Sequence, residues 1–111
     1  MDGRLPAHLE VAAILRLAES QGGFGMVIEK GERDSGTILL VTICRGGPAR
    51  LYERMPQLDG TRRFILVREQ DAENPQDFSE YLARRKRQDR DIWILEADVA
   101  DMERFVASLP G

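Results

Sequence analysis

The sequence predicts an α+β fold in which a curled antiparallel sheet packs against amphipathic helices, in the order α-β-β-β-β-α-β-α. Three observations carry this expectation. Apolar residues recur at helical spacing near both ends and around residue 80. Between residues 24 and 69, short apolar runs alternate with glycine-bearing polar loops. A contiguous run, Ile92-Trp93-Ile94-Leu95, then needs cover on both faces.

Leu9 to Gln21 reads as the first helix, with Leu9, Ala12, Ala13, Arg16 and Leu17 on one face and Val11, Ile14, Leu15 and Ala18 nearly filling a second. Gly22-Gly23 ends it, although Val11–Leu15 alone also reads as a short strand. Phe24–Lys30 is strand one, with Phe24, Met26 and Ile28 on one side. The segment Gly31-Glu32-Arg33-Asp34-Ser35-Gly36 reads as a hairpin loop and Thr37–Arg45 as strand two, whose run of Ile38, Leu39, Leu40, Val41 and Ile43 suits a central strand covered on both faces. Gly46-Gly47 turns the chain into strand three, Pro48–Met55. Residues 56–60 close on an Asp-Gly turn, and Arg63–Glu69 is strand four.

The period then changes. Asn74 is placed to cap a helix, Pro75 fits its first position, and Asp77 stands where a capping acid reaches back. That helix runs to about Gln88 with a stripe of Phe78, Tyr81 and Leu82. Asp91–Ala97 is strand five. Asp98 is placed to cap a last helix with Val99, Met102, Phe105, Val106 and Leu109 buried and Pro110-Gly111 as its stop. Strands one to four form a meander. The second helix crosses over to bring strand five beside strand one, whose outer edge is otherwise open.

No linker divides the 111 residues, so a single domain over residues 1–111 is expected. Apolar residues at 42% and charged residues at 32% exclude a disordered chain. A net charge of −3 is not that of a dedicated DNA-binding domain. The lone cysteine, Cys44, rules out an internal disulfide and fits a cytoplasmic location. The start, Met1-Asp2-Gly3-Arg4, lacks signal-peptide character, and no apolar run nears the ~18 residues of a membrane span.

Several segments together resemble a family of small bacterial proteins, domain of unknown function 1491. They are Leu5-Pro6-Ala7, Gly22-Gly23-Phe24, Lys30 through Gly36, Arg50-Leu51-Tyr52-Glu53-Arg54, Tyr81-Leu82-Ala83-Arg84 and Asp91 through Glu96. The resemblance spans most of the chain. It implies a bacterial cytosolic protein and supplies no activity, cofactor or site residue.

The chemistry-bearing residues are sparse. His8 has no partner at metal-ligand or catalytic spacing, and Cys44 has no adjacent group to activate it. The 31–36 loop lacks the Gly-Lys-Ser/Thr ending of a phosphate loop. Acids cluster as Glu69, Asp71, Glu73 and as Glu96, Asp98, Asp101. A small enzyme using a carboxylate pair is therefore a third reading. No cofactor or metal is expected.

Two other readings stand ahead of it. The first is a non-catalytic protein-interaction module, probed through an exposed sheet face bearing Tyr52, Glu53, Arg54 and Trp93, although Trp93 reads more readily as filling the core beneath the crossover helix. Its partner is another protein or a second copy, joined through the first helix or a free sheet edge. The alternative is nucleic-acid binding through Arg84, Arg85, Lys86, Arg87 and Arg90. Against it, consecutive helical residues point all round the axis, and cations belong in a helix's last turn.

Overall fold

The computed structural model describes residues 5–109, which form a five-stranded sheet and three helices. The elements are α1 (Ala7–Ser20), β1 (Phe24–Glu29), β2 (Ile38–Ile43), β3 (Arg50–Pro56), β4 (Arg62–Glu69), α2 (Pro75–Gln88), β5 (Trp93–Asp98) and α3 (Met102–Ala107). The order matches the expected one, and Val11–Leu15 is helical. The expected lead-in at residues 1–4 and the expected stop at Pro110-Gly111 lie outside the described residues. The last helix already ends at Ala107, with Ser108 as its cap.

The strand order is β1-β5-β2-β3-β4. This corrects the four-stranded meander. Strand β5 does lie beside β1, but on its inner side, antiparallel to β1 and parallel to β2. Only β2, β3 and β4 form a meander. The reason is burial. Ile92, Ile94 and Leu95 are all fully or nearly fully buried, as are Leu39 and Leu40 on β2. Two doubly covered strands are best satisfied side by side at the centre, with β1 and β4 as edges.

Residues 31–36 are therefore not a hairpin tip. They carry the chain from β1 to β2 across the entry to β5. Gly31 and Gly36 both lie against the Asp91 carbonyl and the Trp93 ring, where a Cβ would collide with backbone. The Glu32 N–H donates to the Asp91 carbonyl at 2.9 Å, and the Trp93 indole N–H donates to the Glu32 carbonyl at 2.7 Å. The same loop caps α1: the Ala7 and His8 N–H groups donate to the carbonyls of Asp34 and Arg33, each at 2.9 Å.

Helix α1 ends as its Gly22-Gly23 pair predicts. Gly22 has φ +80, its N–H donates to Glu19, and the Gly23 N–H donates to Ala18 at 2.9 Å, the paired bonds of a Schellman motif. Two expected caps differ. Asn74 stands at the N-cap of α2 without a side-chain bond, and Asp77 is drawn instead to Arg68 at 2.8 Å. Asp101 rather than Asp98 caps α3, accepting from the Arg104 N–H at 3.0 Å, because β5 continues through Asp98.

The helices divide unequally. Helices α1 and α3 share one sheet face, packed with Ile38, Leu40, Tyr52, Trp93, Leu95 and Phe105. Helix α2 alone covers the other, with Phe78 buried and Tyr81 and Leu82 packed on Leu39, Val41, Leu51 and Ile94.

Gly36→Ala is expected to destabilise the protein by about 2–3 kcal/mol, as overpacking against fixed backbone does. Urea denaturation measures it. An unshifted midpoint would mean that the crossing loop moves aside freely.

Candidate functional site

The four residues expected to form one exposed face are split by the strand alternation. Trp93 and Tyr52 are buried on the α1 face, and Trp93 lies on the side opposite the crossover helix it was expected to underlie. The Arg54 guanidinium donates to Glu10 on α1 at 2.6 Å, with side-chain exposures of 7% and 12%, and stacks over Phe64 at 5.0 Å. The carboxylate of Glu10 also accepts from Arg62 at 3.2 Å. Glu53 points to the opposite face, where Arg85 grips both its oxygens at 2.7 and 3.2 Å. These side chains tie helices to the sheet and leave no exposed aromatic anchor among them.

The basic cluster on α2 is also divided. Glu53, and after it Tyr81, hold the Arg85 guanidinium above its already high ordinary pKa, despite partial burial. The Lys86 ammonium donates to the carbonyls of Lys30, Arg90 and Ile92 at 2.9–3.1 Å, fastening the end of α2 to the crossing loop. Arg84, Arg87 and Arg90 are exposed. Tyr81 carries guanidinium groups from Arg68 at 4.1 Å, Arg84 at 5.7 Å and Arg85 at 5.9 Å.

Other candidates do not converge. His8 sits at the start of α1 with Nδ1 3.0 Å from the Arg33 carbonyl, while Cys44 lies beyond the far end of β2 with its thiol donating to the Ala100 carbonyl at 3.4 Å. Asp71 accepts from the Glu73 N–H at 2.9 Å in a local turn. Among the described residues, no three His, Cys, Asp or Glu side chains are grouped to hold a metal ion. Glu96 and Asp98 do share a face of β5, but they stand beside Met26 and Phe24 of β1, not beside a nucleophile or base.

That last juxtaposition is the site the sequence hid. Phe24, Met26 and Ile28 are exposed to 61%, 41% and 45%. They lie on the α2 side of the sheet, over the half that α2 does not cover. Strand β1 pairs only with β5, so its outer edge is open; a bulge between Val27 and Glu29 brings Glu29 opposite Ile94, and Ile28 and Glu29 both line the cleft toward α2. Between them runs a cleft of about 370 Å³ lined by Ile28, Val41, Phe78, Leu82, Ile94 and Glu96. The alternation of Phe24, Met26 and Ile28 is legible in sequence. Their exposure depends on where α2 lands, and no local pattern reports that.

The fold and this open half-face describe a small α+β protein built on one mixed sheet, with no assembled catalytic grouping among the described residues. Residues 5–107 match the family described as protein of unknown function (DUF1491), and the chain belongs to that family. A DUF1491 family protein from Caulobacter crescentus CB15 has a similar crystal structure, at 32% identity and TM-score 0.81, covering 96% of this chain and 98% of that one. Its NMR structure gives 33% identity and TM-score 0.76, over 96% and 94% of the two chains. A solution structure from A. tumefaciens is similar at 26% identity and TM-score 0.77, covering 97% of each chain. No curated protein matches. No helix among the described residues is long and apolar enough to cross a membrane.

Two outcomes follow from the electrostatics. Glu10→Ala strands the buried Arg54 charge and should cost about 3–5 kcal/mol in denaturant titration. A loss under about 1 kcal/mol would show the pair to be screened like a surface ion pair. Separately, the Ser35 N–H, then the Asp34 N–H and the Ser35 hydroxyl, hold the exposed Glu32 carboxyl below its ordinary pKa of 4.5. A depressed carboxyl stabilises the fold above its unfolded value and loses that contribution as pH falls through the folded one. Glu32→Gln should therefore be less stable than wild type at pH 7, with the gap closing as pH falls below the ordinary value of 4.5. A gap that is constant with pH excludes this linkage.

Proposed function

We propose that this chain is a non-catalytic protein-interaction module whose docking surface is the uncovered half of the α2 face, over β1 and β5. The observation that carries the reading is the aligned exposure of Phe24, Met26 and Ile28 on an edge strand whose outer side is unpaired, next to an apolar cleft. Single exposed apolar residues are ordinary, whereas a contiguous apolar patch with a polar rim marks an interaction site. Natural proteins also blunt their sheet edges with charge. Strand β1 carries no charge before Glu29.

The face therefore differs from the one expected from sequence. Tyr52, Arg54 and Trp93 act behind it as supports of the sheet, and Glu53 anchors α2. Pairing of a second copy along β1 is one form of such an interaction, and light scattering at micromolar concentration separates it: a clean monomer confines the face to other partners. Nucleic-acid binding through α2 is the weaker reading. Of its five cations, Arg85 and Lys86 are engaged within the protein, which leaves Arg84, Arg87 and Arg90.

The test compares wild type with Phe24→Ser/Met26→Ser in pull-downs from RNase-treated native lysate, after thermal melts show that both are folded. The same protein should be enriched by wild type and lost, by at least about tenfold, with the double variant. Tenfold corresponds to about 1.4 kcal/mol, less than two buried apolar side chains contribute. A partner retained by that variant but lost with Arg84→Glu/Arg87→Glu, or lost on RNase treatment, overturns the proposal.

A further inference from the structure

We propose that the occupant of the open half-face is an amphipathic helix with a basic flank, supplied by a partner protein and lying beside α2. This rests on the interaction reading above and gives the partner its chemistry.

Room is the first argument. Neighbouring strands stand about 4.8 Å apart, so five strands span about 19 Å between outer axes, while packed helices need about 8–10 Å each. One face of such a sheet therefore holds two helices. The opposite face does hold two, α1 and α3. The α2 face holds one, placed over β2 and β3 and the near side of β5. The vacant berth lies over β1 and the far side of β5, and its floor is Phe24, Met26 and Ile28. The flank of α2 that borders the cleft carries Ser79 and Ala83, one turn apart and both small and exposed. Small residues there let a second helix approach closely. The cleft between them would receive its side chains.

Charge is the second argument, and it selects the partner. Glu96 and Asp98 stand on the berth's floor in register with Met26 and Phe24, and Glu29 stands at its end. None of the three carboxylates forms an ion pair among the described residues. The nearby cation, Lys86, directs its ammonium to three backbone carbonyls. The floor thus carries an apolar row on the edge strand β1 beside an acidic row on β5. A helix that buries leucines there meets unpaired carboxylates, which lysines or arginines along its flank would complete. An acidic or neutral helix would bury those carboxylates without partners.

A second copy does not supply this helix. Each of its own helices buries its apolar stripe on its own sheet. Self-association at this surface would have to use strand β1 instead.

The experiment uses the whole protein and four fluorescein-labelled synthetic peptides of about 15 residues. All share a leucine stripe at helical spacing. One carries lysines along one flank, the second carries glutamates there, the third is the lysine peptide with a central proline, and the fourth is the lysine peptide scrambled. In fluorescence anisotropy the lysine peptide should bind at micromolar concentration, and the other three at least about tenfold more weakly. Glu96→Gln/Asp98→Asn should bring the lysine and glutamate peptides to within about threefold of each other, with an unchanged melting temperature. Ala83→Trp, which fills the berth from an exposed position, should weaken the lysine peptide by about tenfold or more.

Equal binding of lysine and glutamate peptides to wild type overturns the basic flank. Full binding of the proline peptide means an extended segment paired with β1 and overturns the helix. No binding of any peptide overturns the inference. The interaction reading nonetheless stands if the lysate partner still depends on Phe24 and Met26. Loss of both the peptide and the lysate result removes the two together.

Discussion

Residues 31–36 lie across the entry to β5, with two glycines resting on the Asp91 carbonyl and the Trp93 indole bonded to the Glu32 carbonyl. Much else depends on that crossing. It lets β1 and β2 sit one strand apart, so that β5 can occupy the gap between them. Its carbonyls receive the first N–H groups of α1, whose N-cap, Pro6, has no side chain to do so. Lys86 fastens the end of α2 to the Lys30 carbonyl at the loop's other shoulder. Elements from both sheet faces thus meet at one short polar segment. A loop with two acids, one arginine and a serine would otherwise read as a solvated tip, and its interior role rests on backbone atoms.

The segments that carry the family likeness acquire a common physical meaning here. The Lys30–Gly36 stretch is the crossing, Gly22-Gly23 is the Schellman end of α1, and Arg54 pairs with Glu10 across the helix–sheet boundary. Asp91 through Glu96 provide the carbonyl and the indole that the crossing grips, and the central strand itself. These are requirements of architecture. Substitution at the crossing, the Schellman end or the Arg54–Glu10 pair would break the fold before it revealed a function, whereas Phe24, Ala83 and Glu96, from the same likeness segments, border the open half-face.

How far the sequence could be read follows the range of the interactions. The end of α1, the double-sided burial of β2 and β5, and the stripe of α2 are local patterns, and each was legible. The strand order was not, because a glycine-bracketed polar loop serves a hairpin and a crossing equally well, and Asp91 lies some sixty residues away. Helical geometry already disperses Arg84 to Arg90 around the axis, but it does not report which of them are engaged: the partners of Arg85 and Lys86 come from Glu53, Lys30 and Ile92. Trp93 was correctly a candidate for the core, yet its face depends on a register that only the neighbouring strands define. The open half-face is legible only once all five strands are in place.

The insertion of β5 between β1 and β2 also orders events in time. A β1–β2 hairpin, the quick local pairing that this sequence invites, would occupy the place of the fifth strand and must be avoided or undone. Each side of β5 joins residues separated by more than fifty positions along the chain. Such distant pairings close slowly. A nascent chain leaving the ribosome would present β1 and β2 as unfinished edges until residue 98 emerged, so the glycine-bracketed segment that spans them acts as a placeholder for a strand not yet made.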